Sequence, residues 1–127
     1  MSHFSTIKTK IKSEEHLIEA LEELGYDVEL DQKLINPIDH QHEQVNVHIA
    51  IDKDIGFKWN DITDSYELVT DVQTWDEPIP VERFLDKLTQ LYASKMIVSV
   101  SKQKGYEVVE YAKLNDGSIE VVCERWN

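Results

Sequence analysis

The chain has 127 residues, 41% of them hydrophobic, and a formal net charge of −12 from 25 acidic and 13 basic side chains. That length suits one domain, residues 1–127, with a core that needs no staple. The charge argues against nucleic-acid binding and against anionic membranes, because both draw affinity from lysine and arginine. A single cysteine, Cys123, allows no internal disulfide and suits a reducing compartment. The opening residues MSHFSTIKTKIK lack the apolar stretch of a secretory signal, and no apolar run reaches the ~20 residues of a membrane span.

Residues 3–11 alternate as a strand, and Ser13 followed by Glu14 and Glu15 is a helix start. Leu17, Ile18, Leu21 and Leu24 recur at helical spacing, and Gly25 stands where a left-handed residue closes a helix. Tyr26, Val28 and Leu30 then alternate as a strand. Beyond an irregular stretch at Asn36-Pro37, Val45, Val47, Ile49 and Ile51 alternate with Gln44, Asn46, His48 and Ala50, which predicts a strand with one wet face. Residues 54–59 and 66–72 form two further strands joined by a polar loop. Pro78 and Pro80 hold an extended entry to a long helix from about Val81, with Phe84, Leu85, Leu88, Leu91, Tyr92 and Met96 on one side. Its β-branched tail, MIVSVS, is compatible with helix or strand.

Gly105 closes that helix as Gly25 closes the first. Residues 106–114 and 118–126 form a hairpin about Asp116-Gly117, a register that sets Ala112 against Val121, Leu114 against Ile119 and Lys113 against Glu120. The segments ELGYDVEL and KGYEVVEY echo one another, by duplication or by shared turn chemistry. The expected fold is α+β: a mostly antiparallel sheet of about six strands with two helices packed on one face.

The chemistry-bearing residues are few. Asp39, His40, His42, Glu43 and His48 crowd one stretch, and His40 with His42 has ligand spacing. His48 lies six residues beyond His42, about 20 Å along a strand, so polar residues lining a wet face explain the cluster better than a metal does. No metal and no cofactor are expected, with His40 and His42 the weak candidates. Cys123, in phase with Ile119 and Val121, reads as buried and inert. The glycines all have structural roles, with Gly56 in a strand or bulge, and none builds a phosphate loop.

No catalytic residue is assigned. The dense acids between Asp52 and Glu77 read as a solvated face. Lys8, Lys10 and Lys12 share parity, so an extended strand projects them to one side about 7 Å apart. They are either a protective edge or a docking ridge for an acidic partner, and the protective reading is favoured. Trp59, Trp75 and Trp126 end predicted strands, where core packing is the default. Trp59 and Trp75 are also candidate contact residues.

The blocks MSHFSTIKTKIK, EALEELGYDVE, DIGF, YELVTD, FLDKLTQLYA and DGSIEVVCERW resemble the hypothetical chloroplast reading frame thirty-five family over residues 1–126. Residues 31–50, with the histidines, resemble it least. The resemblance implies a cyanobacterial cytoplasm or an algal plastid stroma, and it implies no reaction and no catalytic residues. The expected role is a non-catalytic factor that binds another protein. The rival is an enzyme or small-ligand binder using a cleft between helices and sheet, with Asp71 and Asp76 near its mouth.

Overall fold

The structure is a computed structural model that describes residues 3–36, 44–113 and 119–125, the last two strands by their backbone. In chain order the elements are β1 (Ser5–Lys8), α1 (Glu14–Glu23), β2 (Glu29–Ile35), β3 (Gln44–Asp52), β4 (Ile55–Asn60), β5 (Ser65–Thr70), α2 (Val81–Gln103), β6 (Tyr106–Lys113) and β7 (Ile119–Arg125).

Helix α1 forms where sequence patterning places it. Ser13 is its N-cap and accepts a hydrogen bond from the His16 amide, and Leu17, Ala20 and Leu21 are buried. Gly25 closes α1 at φ 96°, and Gly105 follows α2 at φ 84°, a region that favours glycine because it has no Cβ. Helix α2 continues through its β-branched tail to Gln103. Ile97 and Val100 stay exposed in that tail, so the helix carries the modest propensity cost of β-branched residues without burying these two.

The fold is α+β. Five antiparallel strands run in the order β1-β5-β4-β3-β2, and β6 with β7 forms a separate two-stranded sheet. The expected six-stranded sheet is therefore a five-stranded one, because the C-terminal hairpin pairs only with itself among the described strands.

The hairpin register also differs from expectation. Lys113 pairs with Ile119 and Ala112 with Glu120, one residue away from the predicted pairing. The Asp116-Gly117 turn on which the predicted pairing was based lies outside the described residues. A further irregularity falls between Val108 and Glu110.

Two other strands depart from the sequence reading. Tyr26 and Val28 precede β2 and are unpaired, because Tyr26 turns inward instead and its amide bonds the Leu21 carbonyl. Strand β1 ends at Lys8. Beyond it, Thr9 Oγ1 donates to the Tyr66 carbonyl at 2.6 Å and accepts from the Ile11 amide at 3.1 Å. A side chain thus takes the place of a ladder bond and ends the regular strand.

Both sheet faces bury apolar residues. Ile49, Phe57, Leu68, Leu17, Leu21, Phe84 and Leu88 form the main core, so both helices pack on one face. Leu34, Val47, Ala50 and Val69 form a second, smaller cluster. Leu68 and Val69 are consecutive on β5 and belong to different clusters, which places the second cluster on the opposite face.

The wet face predicted for β3 holds at Gln44, Asn46 and His48, which are exposed, and fails at Ala50, which is buried like its neighbour Ile49. Pairing with β2 skips Asp31, which stands at φ 53°, and pairing with β4 shifts between Ala50 and Asp52. Gly56 pairs with both Ala50 and Val69, and a Cβ there would lie 2.8 Å from the Ile49 carbonyl and from Val47 Cγ2. Only glycine lets the strands close over that face.

Candidate functional site

The strongest concentration of chemistry lies where the β3–β4 turn meets the connection from β5 to α2. A depression of about 330 Å³ there is lined by Asp52, Lys53, Asp54, Ile55, Thr74, Asp76 and Glu77. The turn is held locally: the Lys53 amide donates to Asp52 Oδ1 at 2.8 Å, and the Lys53 carbonyl accepts from Ile35 of β2 at 2.9 Å.

The opposite wall is built on a buried carboxylate. Asp71 is almost wholly enclosed. One oxygen accepts from Asn36 Nδ2 at 2.9 Å and the other from the Gln73 amide at 2.9 Å. Its carbonyl accepts from the Thr74 amide and hydroxyl. Asp71 thus shapes the turn from beneath, as an aspartate that caps its own backbone does. Farther on, Trp75 Nε1 donates to the Ile79 carbonyl at 2.8 Å and its ring packs on Phe84, 5.4 Å between centroids. Those contacts fix the stretch that carries Asp76 and Glu77.

Tyr26 completes the frame. Its ring meets Phe84 edge-on at 5.6 Å. Burial, a hydrogen bond to Glu77 and the charges of Glu77 and Asp52 all push its hydroxyl above the usual range, so it stays protonated and donates to Glu77. The Asp54 carboxyl is raised as well, first by burial and then by the neighbouring charge of Asp52, with Glu77 contributing. Four carboxylates therefore share one depression with a single lysine, Lys53.

The residues singled out from sequence fall in several places. Asp76 lines the depression, whereas Asp71 is buried under it and is unavailable at its mouth. Trp59 and Trp75 are both half-buried against the main core, and Trp59 packs edge-on against Tyr66 at 5.0 Å. Lys8, Lys10 and Lys12 are all exposed, but only Lys8 lies in a strand. It shares a cross-strand row with Glu67 and Lys58 on the face away from the helices. Glu67 also accepts from Asn60 Nδ2 at 2.6 Å.

His40, His42, Trp126 and the Asp116-Gly117 turn lie outside the described residues. His48 is exposed on β3, and its Nδ1 accepts the Trp59 amide at 3.1 Å. No group of three or more histidine, cysteine, aspartate or glutamate side chains among the described residues is arranged to hold a metal ion.

Two tyrosines escaped the sequence reading. Besides Tyr26, Tyr92 of α2 accepts the Lys12 and Ser13 amides at 3.0 Å each, which fastens the entry of α1 to α2. Both rings sat in apolar patterns that gave no sign of a hydroxyl at work. A second depression, between α1 and α2, is lined by Glu19, Glu23, Lys95 and Lys102 among others, and Glu23 pairs with Lys95 at 2.9 Å. No helix among the described residues is long and apolar enough to cross a membrane.

Comparison with known proteins gives family without chemistry. The family model described as "Protein of unknown function (DUF1257)" matches residues 20–122. The uncharacterized protein ycf35 of Pyropia yezoensis is 38% identical, with the match covering 100% of this chain and 99% of that protein. Those of Guillardia theta and Cyanophora paradoxa are each 35% identical, covering 99% of this chain and 98% of theirs. No solved structure matches. From residue patterns at both ends of the chain to matches spanning its whole length, the conclusion is the same: the chain belongs to the DUF1257 family, alongside the ycf35 proteins.

Proposed function

We propose that this protein is a non-catalytic factor that binds another protein and serves assembly or regulation in a photosynthetic cell. Its place is the cyanobacterial cytoplasm or the plastid stroma. The proposal includes no cofactor, no nucleic acid and no membrane insertion. The relatives named for chloroplast reading frames support the setting.

The supporting observation is the acidic depression. Asp52, Asp54, Asp76 and Glu77 are held together by a tight turn, the Asp71-built wall and the Tyr26 hydroxyl, with Lys53 as the one cation in the lining. The Asp54 carboxyl is raised first by burial and then by the charge of Asp52, with Lys53 opposing that charge. A basic surface docking there supplies the missing countercharge and associates quickly at low salt.

The test is capture from native lysate at low and high salt, with the intact chain and with an Asp52→Asn/Asp76→Asn/Glu77→Gln variant. One stoichiometric partner at low salt, lost in the variant and rebound from purified components, is expected. No stoichiometric partner at either salt overturns the reading.

One observation favours a second reading, a small-ligand binder or enzyme. A carboxyl of raised pKa inside a depression of about 330 Å³ is also what proton-transfer chemistry uses. Small-molecule binding that survives high salt and disappears in Asp54→Asn, with no protein partner, would favour that reading.

A further inference from the structure

We propose that the outer edge of β1 is a docking strand for an acidic, extended segment of another protein. The inference rests on the protein-binding reading above and names a second surface and the chemistry of its occupant.

Strand β1 is the terminal strand of the five-stranded sheet, and among the described strands none pairs with it on its outer side. An edge of this kind offers backbone N–H and C=O groups to an added strand. Its side chains then set what is accepted. Along β1 burial alternates: Ser5 and Ile7 are half-buried, Thr6 and Lys8 exposed. Ile7 packs against the main core. An added strand therefore places an apolar residue beside Ile7 on the helix side and polar residues beside Thr6 and Lys8 on the other.

Charge decides the polar residues. Lys8 and Lys58 flank Glu67 in one cross-strand row, so two cations face one anion. Exposed Lys10 and Lys12 follow directly. The row lies three residues along the strands from the Ser5, Thr70 and Ile55 row beside the acidic depression, about 10 Å away. The occupant that fits is an extended segment alternating acidic and β-branched residues. It is short, because the Thr9 side chain ends the regular edge.

A second copy fits less well. Two β1 edges would set lysine against lysine. The sheet's other edge does carry Glu29, Leu30 and Asp31, with Leu30 half exposed. Asp31, however, stands at φ 53° and drops out of the pairing, so that edge does not present a continuous run of extended residues.

The experiment uses the full chain and a fluorescein-labelled peptide of alternating glutamate and valine. The control peptide replaces each valine with proline, which keeps the charge and removes strand pairing. Saturable binding of the first peptide, at least about tenfold weaker for the control and weaker at high salt, is expected. Lys8→Glu/Lys10→Glu should lower that affinity at least about tenfold while melting stays within a few degrees. The acid-end variant should keep the binding, so the two surfaces fail separately. Three results overturn the proposal: no saturable binding up to about 1 mM peptide, equal binding of the proline peptide, or unchanged binding by the lysine variant. Self-association of that variant in sedimentation, with peptide binding intact, would assign the lysines a protective role instead.

Discussion

The two faces of the five-stranded sheet differ in kind. One is closed by α1 and α2 over Phe57, Leu68, Phe84 and Leu88, all nearly or fully buried. The other buries a patch of Leu34, Val47, Ala50 and Val69 and carries the Lys8–Glu67–Lys58 row beside it. The first face holds the fold together, whereas the second combines a small core with charge. Stability and surface chemistry are therefore separable in this molecule, and substitutions can test that separation.

The largest effect should come from the closed face. Phe57→Ala leaves a cavity among fully enclosed neighbours and should cost about 3–5 kcal/mol, read by chemical denaturation. On the other face, Gly56→Ala forces a Cβ against the Ile49 carbonyl and Val47. It should cost about 1–3 kcal/mol, because a backbone atom cannot step aside as a flexible side chain can. An unchanged midpoint for Gly56→Ala would mean that the strands open over the small cluster at no cost.

Tyr92→Phe tests the clamp between the helices. It removes the acceptor of the Lys12 and Ser13 amides, both able to turn partly to water, and should cost about 1–2 kcal/mol.

The smallest effect on stability concerns pH at the acidic depression. Asp54 has its folded pKa raised above the ordinary value of 3.8, so the folded chain binds its proton more readily than the unfolded chain does. Its charged form opposes folding above the raised pKa. That penalty fades as pH falls through the folded pKa and is gone below 3.8. Asp54→Asn should therefore raise the melting temperature slightly near neutral pH and bring no gain below the unfolded value. A gain that persists at low pH would show that something other than charge sets the effect.

Much of the closed face was legible in the sequence. Ser13, Leu17, Leu21 and Gly25 mark α1, and Phe84, Leu88 and Tyr92 mark α2, because a helix repeats its buried positions at a fixed spacing. The second face was not. Burial of both Ile49 and Ala50 breaks strict alternation, and the register shift between Ala50 and Asp52 leaves no mark in composition. The candidate site was legible only as a density of acids. Asp71 and Asp76 look alike in sequence, yet one is buried to shape a turn and the other lines the depression, since partners distant in the chain, such as Asn36, decide between them. The hairpin pairs one residue away from the predicted register, and the irregularity between Val108 and Glu110 had no mark in the alternating pattern.

Docking of a basic protein surface at the acidic end, as proposed, leaves a signature in salt dependence. The measurement that tests it most directly is the affinity for the captured, purified partner over a range of ionic strength, for the intact chain and for Asp52→Asn/Asp76→Asn/Glu77→Gln. The expected result is binding that weakens steeply with salt in the intact chain, and both weaker binding and a shallower salt dependence in the variant, with Phe57 and its neighbours still folded. Identical affinities and identical salt dependence for the two proteins would contradict it.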